Sequence, residues 1–232
     1  MAKTELTREL TSLTVDSNLI KAAIFDLDGV IVDTAHYHYM AWKQLAATLG
    51  IDLTIEDNER LKGVSRMHSL EIVLEIGGVS LSEAEKEKLA DKKNGWFVDL
   101  IEKMSPDEIF PGVTDLIESI RRKGVRVGLA SSSKNAPRVL ELLHIRDQFD
   151  VIIDGTMITH SKPDPEIFLL AASRLDLDPT DCLVFEDAEA GVEAAIRAGM
   201  KCVGVGNVAQ LGKANVVIAK TGDFTAADLD KL

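Results

Sequence analysis

The sequence predicts a doubly wound α/β domain interrupted by a helical insert, and three observations carry that expectation. Short apolar runs recur along the chain, each bounded by turn residues, as strands buried on both faces of a parallel sheet require. Amphipathic stretches alternate with these runs, which is the order of strand and helix in open α/β sheets. One stretch, Thr34 to about Met104, has helical periodicity and no buried strand, and it is too long for a loop in a compact domain.

The first strand is expected at Lys21-Ala-Ala-Ile-Phe-Asp-Leu-Asp28, an apolar run that ends in carboxylates and Gly29. The helical insert follows, with Tyr39 to Leu49 as its clearest amphipathic segment and the charged run Glu83 to Lys93 as a solvated helix face. Ser105-Pro106 and Phe110-Pro-Gly112 punctuate the return to the sheet. Strands are then expected at Val125–Ser131, Phe149–Asp154, Cys182–Asp187, Lys201–Gly206 and Asn215–Ala219. Helices between them are expected at Val113–Lys123, Ala136–Leu143, Pro165–Leu175 and Gly191–Ala198. The domain reading is therefore a core of 19–33 and 105–232, an all-helical cap of 34–104, and a polar N-terminal extension of 1–18 that reads as a frayed helix or a disordered tail.

The composition narrows the classes of function. The chain has 232 residues with 46% hydrophobic and 28% charged residues, so it can bury a core and is not disordered in bulk. A net charge of −12 argues against a general nucleic-acid binder, which needs clustered Lys and Arg on one face. No apolar run approaches the ~20 residues of a membrane span and no secretory h-region is visible, so a cytoplasmic protein without a membrane partner is expected. Cys182 and Cys202 lie in apolar runs and read as core residues rather than a disulfide.

Ligands of open α/β sheets bind beyond the carboxyl ends of the strands. Three strands deliver polar groups there: Asp26 and Asp28, then Ser131 and its neighbours, then Glu186 and Asp187. Two carboxylates two residues apart can divide labour, one attacking an electrophile while the other handles a proton. A calcium loop is excluded because a strand precedes the segment and its twelfth position is Tyr37 rather than Glu. Ser131-Ser-Ser-Lys-Asn135 suits either a phosphate or a simple helix N-cap. Glu186 and Asp187, without His or Cys beside them, suit Mg²⁺ better than a transition metal. His36 and His38 are two apart and do not share a helix face as a zinc pair would, and Gly204-Val-Gly206-Asn-Val-Ala209 lacks the long helix that a dinucleotide site needs.

Asp26-Leu-Asp-Gly-Val-Ile-Val-Asp33-Thr34, the serines 131–133, Lys162-Pro163 and Glu186-Asp187 resemble, in order, the four signature motifs of the haloacid dehalogenase superfamily. The insert after the first motif resembles the helical-cap subclass. Within it, Leu61-Lys-Gly-Val-Ser-Arg66 with Ser69, Lys93-Asn94 and Ala130 to Asn135 resemble the β-phosphoglucomutases.

The resemblance implies Asp26 as a nucleophile that becomes an aspartyl phosphate and Asp28 as general acid/base. It implies Mg²⁺ held by Asp26, the Asp28 backbone carbonyl and Asp187, with Glu186 ligating or supporting. Ser131 and Lys162 would hold the transferring phosphoryl group, with Ser132, Ser133 and Asn135 nearby. Thr34, His38, Trp42, Lys62, Gly63, Arg66, Ser69 and Lys93 would contact the sugar or its distal phosphate, although Trp42 equally suits the core of the cap. The implied reaction interconverts β-glucose 1-phosphate and glucose 6-phosphate, with glucose 1,6-bisphosphate as activator and a monomer as the working form. A sugar-phosphate phosphatase on the same core is the alternative. A non-catalytic phosphosugar-binding protein is disfavoured because both aspartates are present.

Overall fold

The computed structural model describes residues 19–61 and 64–232, so the N-terminal extension and the site candidates Lys62 and Gly63 lie outside the described residues. The elements in chain order are β1 (Ala22–Phe25), α1 (Ala35–Thr48), α2 (Ile55–Glu59), α3 (Arg66–Gly77), α4 (Glu83–Ile101), α5 (Val113–Arg122), β2 (Arg126–Ala130), α6 (Ala136–Leu142), β3 (Val151–Ile153), α7 (Glu166–Arg174), β4 (Cys182–Glu186), α8 (Glu189–Arg197), β5 (Lys201–Val205), α9 (Val208–Leu211) and β6 (Val216–Ile218). The strands form one sheet in the order β3-β2-β1-β4-β5-β6, with every pairing parallel. No helix among the described residues is long and apolar enough to cross a membrane.

Alternation along each strand divides the core into two layers. Phe25, Leu129, Phe185 and Val203 face α5 and α6, and the Phe25 and Phe185 rings stack with centroids 4.5 Å apart. Ile24, Ala130, Val184 and Cys202 face α7 and α8. Both cysteines are buried and free, as their apolar runs imply. The order of strand addition reverses between β1 and β4, and the crevice at such a switch point is where ligands of these sheets bind.

The insert has an interior of its own, built from Trp42, Leu45, Leu53, Leu70, Val73, Ala90 and neighbours. Side-chain caps set its helix starts. Thr54 and Asp57 form a capping box for α2, Ser65 accepts from His68 N for α3, and the Glu85 carboxylate accepts from Ser82 N at 2.9 Å for α4. Gly78, in the left-handed region at φ 61°, ends α3.

One sequence expectation is corrected. Glu83 to Lys93 is not simply a solvated face, because α4 runs on to Ile101 and turns Ala90, Lys93, Phe97 and Ile101 inward along one stripe. The charged run masks a helical period that becomes apparent only over nineteen residues.

Candidate active site

β1 ends at Phe25, and the Asp26 N–H donates to Phe185 O at 3.0 Å, extending the sheet ladder by one step. This register sets Asp26 beside Glu186, the last residue of β4, and leaves them 6% and 1% exposed. Carboxylates so buried need a compensating charge. Lys162, in the loop before α7, provides it: its ammonium donates to Asp26 Oδ1 at 2.5 Å, to Glu186 Oε1 at 2.5 Å and to Ala130 O at 3.3 Å. Burial alone would lower the Lys162 pKa, but the two carboxylates outweigh it and hold the group firmly protonated. Burial raises the Asp26 carboxyl above its ordinary value, with Lys162 opposing the rise and Glu186 adding to it.

The chain turns sharply after β1. Gly29 N–H donates to Val32 O at 2.8 Å, and Gly29 sits at φ +75°, where a side chain would be strained. A Cβ there would also fall 2.0 Å from Asp187 Oδ2. The absence of a side chain at Gly191 likewise gives the Glu186 carboxylate its room, since a Cβ would meet Oε1 at 1.8 Å. The turn points Asp28 into the same crevice, where burial first, then the Asp26 charge, push its carboxyl up to about 8. The Thr34 hydroxyl, at the start of α1, donates to Asp28 Oδ1. Asp187 is raised above its ordinary value by burial and by repulsion from Glu186, Asp26 and Asp28.

Four buried or half-buried carboxylates therefore meet one ammonium, and the raised pKa values of Asp26, Asp28 and Asp187 fit a site short of positive charge. The donor set is all oxygen, two glycines clear the space around Glu186 and Asp187, and no His or Cys joins them. These residues fit a hard divalent cation such as Mg²⁺. A cavity of about 900 Å³ opens beside Gly29 and Asp187 and is walled by Pro163, Asn207, Lys220 and Thr221.

The loop after β2 leaves the same edge of the sheet as Asp26. Ser131 is buried and hydrogen-bonds through its N–H to Ile153 O at 3.0 Å, while its hydroxyl accepts from Ser133 N at 3.2 Å. Ser133 Oγ accepts in turn from Asn135 N at 3.3 Å. The Ser132 hydroxyl is buried with no hydrogen-bond partner among the described residues.

The insert brings cations to this edge. Lys93, 2% exposed, places its Nζ 2.7 Å from His38 Nδ1, 4.6 Å from the Trp42 ring centroid and 4.9 Å from that of Phe97. Burial, and then the Arg66 charge, lower Lys93 to about 7. His38 is stacked on Phe97 at 3.9 Å, and burial with the two cations holds it neutral. Arg66, the first residue of α3, donates from Nη2 to Asn94 Oδ1 at 2.8 Å; that same oxygen accepts from Asn135 Nδ2 at 2.8 Å. Among the described residues Arg66 has one ion pair, with Asp91, 3.9 Å away and 84% exposed.

The structure thus gathers Asp26, Asp28, Thr34, Lys162, Glu186 and Asp187 at the switch point, and His38, Trp42, Arg66 and Lys93 on the insert. Trp42 serves two purposes, since it is buried in the insert's interior and lies under the Lys93 ammonium. Ser69 is buried, with its hydroxyl turned to Leu61 O at 3.4 Å, so it steadies the segment before α3 and stands apart from the carboxylates. Asn94 joins the insert to the core. As a site residue it was legible only as the neighbour of Lys93.

Residues 20–199 match the family model of haloacid dehalogenase-like hydrolases. The chain is 47% identical over 208 residues to β-phosphoglucomutase of Bacillus subtilis, covering 89% of this chain and 92% of that one. It is 34% identical over 185 residues to a phosphorylated carbohydrates phosphatase of Thermotoga maritima, covering 78% and 83%. The crystal structure of β-phosphoglucomutase from Clostridium difficile superposes with a TM-score of 0.89 at 46% identity, covering 92% of this chain and 96% of that one. The chain belongs to the haloacid dehalogenase-like hydrolase family.

Proposed function

Starting from that membership, we propose that the protein is a β-phosphoglucomutase, an isomerase interconverting β-D-glucose 1-phosphate and glucose 6-phosphate through an aspartyl-phosphate enzyme and β-glucose 1,6-bisphosphate. In this reading residues 34–104 are a cap that closes over a phosphotransferase core of 19–33 and 105–232. The observation that carries it is the pair of insert cations, Arg66 and Lys93, set against the acidic crevice without a buried carboxylate of their own. A mutase must grip the phosphate that is not reacting, and the fork of an Arg suits that task.

The cycle begins with phosphate on Asp26, for which glucose 1,6-bisphosphate is the activating donor. Asp28 takes the proton of the sugar 6-hydroxyl, whose oxygen attacks phosphorus; the bond to Asp26 breaks, leaving the bisphosphate. After the sugar turns over, Asp26 attacks the 1-phosphate. The bond to O1 breaks, Asp28 returns its proton to O1, and glucose 6-phosphate leaves the phosphorylated enzyme. Burial favours the protonated form of the Asp28 carboxyl, which suits its acid half of the cycle, the return of the proton to O1.

Asp26, Glu186, Asp187 and the Asp28 carbonyl would hold Mg²⁺, which when bound offsets the charge of the carboxylates and the transferring phosphoryl oxygens. Lys162 fixes the nucleophile, and Ser131, Ser132 and Ser133 line the space for the phosphoryl group. A closed cap excludes water that would hydrolyse the aspartyl phosphate. The test is ³¹P NMR of the protein with Mg²⁺, β-glucose 1-phosphate and a trace of glucose 1,6-bisphosphate. Glucose 6-phosphate as the main product supports the mutase, and inorganic phosphate as the main product replaces it with the phosphatase.

A further inference from the structure

Asn94 connects two groups from different parts of the molecule. Arg66 Nη2, from the insert, and Asn135 Nδ2, from the loop after β2, both donate to its Oδ1 at 2.8 Å. The assignment of that amide is fixed by chemistry, because a guanidinium has no acceptor and Asn94 must turn its oxygen toward it. Asn135 must then present its nitrogen. Two donors therefore converge on a single neutral oxygen.

The neutrality matters. Arg66 is partly buried, and its one ion-pair partner among the described residues, Asp91, is 3.9 Å away and exposed to solvent. An amide oxygen orients the guanidinium without cancelling its charge, whereas a carboxylate of the same shape would orient and cancel it. Lys93 stands in the same situation, with neutral His38 rather than a carboxylate against its ammonium.

We propose that Asn94 is a positioning residue that keeps Arg66 and Asn135 aimed at one point with a neutral oxygen, which an oxygen of the substrate's non-reacting phosphate displaces. The inference rests on the mutase reading and assigns Asn94 the placeholder's role within it. Its contribution is to pre-orient the fork and so reduce the ordering cost of binding.

Asn94→Ala and Asn94→Asp separate this role from a structural one. Affinity for glucose 6-phosphate is measured by calorimetry, and kcat/KM for β-glucose 1-phosphate and the rate of Asp26 phosphorylation by acetyl phosphate are measured alongside. Asn94→Ala is expected to weaken sugar-phosphate binding about 2- to 10-fold, as one lost neutral hydrogen bond would. Asn94→Asp is expected to weaken it about 10- to 100-fold, because the carboxylate pairs with Arg66 and repels the phosphate. Phosphorylation by acetyl phosphate, which has no second phosphate, is expected to fall far less in both.

The rank order is decisive, since Asp preserves the shape of Asn and would outperform Ala if Asn94 only held the insert to the core. Asn94→Asp binding as well as or better than Asn94→Ala overturns the proposal, as does wild-type affinity in both. If Asn94→Asp does not fold, Asn94→Ala is compared in wild-type and Arg66→Ala backgrounds, where its effect must shrink in the second because only Asn135 remains to be oriented; an undiminished loss overturns the proposal. Calorimetry needs no turnover, so a wild-type protein that releases inorganic phosphate would refute the mutase reading while the affinities still judge Asn94.

Discussion

Two lysines are buried at this site, and they are buried in opposite ways. Lys162, in the core, is matched by Asp26 and Glu186 and has its pKa raised. Lys93, in the insert, touches a neutral imidazole and two aromatic faces and is lowered to about 7. A buried charge with partners is part of the folded structure's own balance. A buried charge without them lowers stability and is retained where a ligand completes it. The core is therefore internally tied yet still over-negative, as a cation site is, and the insert is over-positive, as an anion site is. A chain of net charge −12 can still meet an anion locally, because Arg66 and Lys93 stand at this edge and neither is paired at close range with a buried carboxylate.

The largest expected effect breaks the core half of this comparison. Asp26→Asn removes the proposed nucleophile, because an amide does not form the acyl phosphate, and neither glucose 6-phosphate nor phosphoenzyme from acetyl phosphate should be detectable. Appreciable turnover in a clean preparation would refute the assignment.

Arg66→Ala breaks the insert half. It deletes up to two charge-assisted hydrogen bonds and should lower mutase kcat/KM by about 10- to 10⁴-fold, while Asp26 phosphorylation by acetyl phosphate falls far less. Arg66→Lys should restore part of the loss, since an ammonium lacks the fork. Equal losses in both reactions would place Arg66 with the core chemistry.

Stability sharpens the comparison further. Lys162→Met leaves Asp26 and Glu186 buried without their shared partner, which costs about 3–5 kcal/mol in urea unfolding at neutral pH without Mg²⁺. Lys93→Met breaks no ion pair among the described residues, although it removes the longer-range attraction to Asp28, and should raise Tm at pH 6. A loss of the same size in both variants would show that the two lysines do the same work.

The smallest effect is a pH trend. Lys93 is held at about 7 in the folded protein, by burial and then by Arg66, against an ordinary value of 10.5. Between those values the unfolded chain binds more protons, so this group makes stability rise with pH from about 7 upward. The Tm advantage of Lys93→Met should therefore be full below pH 7 and shrink toward pH 10. An advantage independent of pH would show that lost packing, rather than charge, governs the substitution.

Chelation applies to both halves at once. With EDTA the turnover should vanish and return with Mg²⁺, while far-UV circular dichroism stays unchanged because the sheet's apolar layers close without the metal. Full turnover after exhaustive chelation would assign the carboxylates to another task.

The sequence by itself determined the sheet, its strands and the carboxylates at their ends. Runs such as Ala22–Phe25 and Cys182–Glu186 are apolar on both faces, and this local property survives without knowledge of the neighbours. It did not determine α2 and α3, which are set by Thr54 and Ser65 caps within weakly periodic segments, nor the inward stripe of α4 hidden in a charged run. Asp26, Glu186 and Lys162 were legible as motifs, but the 2.5 Å contacts of Lys162 with Asp26 and with Glu186 depend on β1 and β4 being neighbours although 160 residues separate Ala22 from Cys182. Only the tertiary structure decided that Lys93 meets His38 instead of water, and that Asn94 and not a carboxylate receives Arg66. Burial and partner identity are properties of position in space, and they set a lysine's charge more strongly than its place in a helix does.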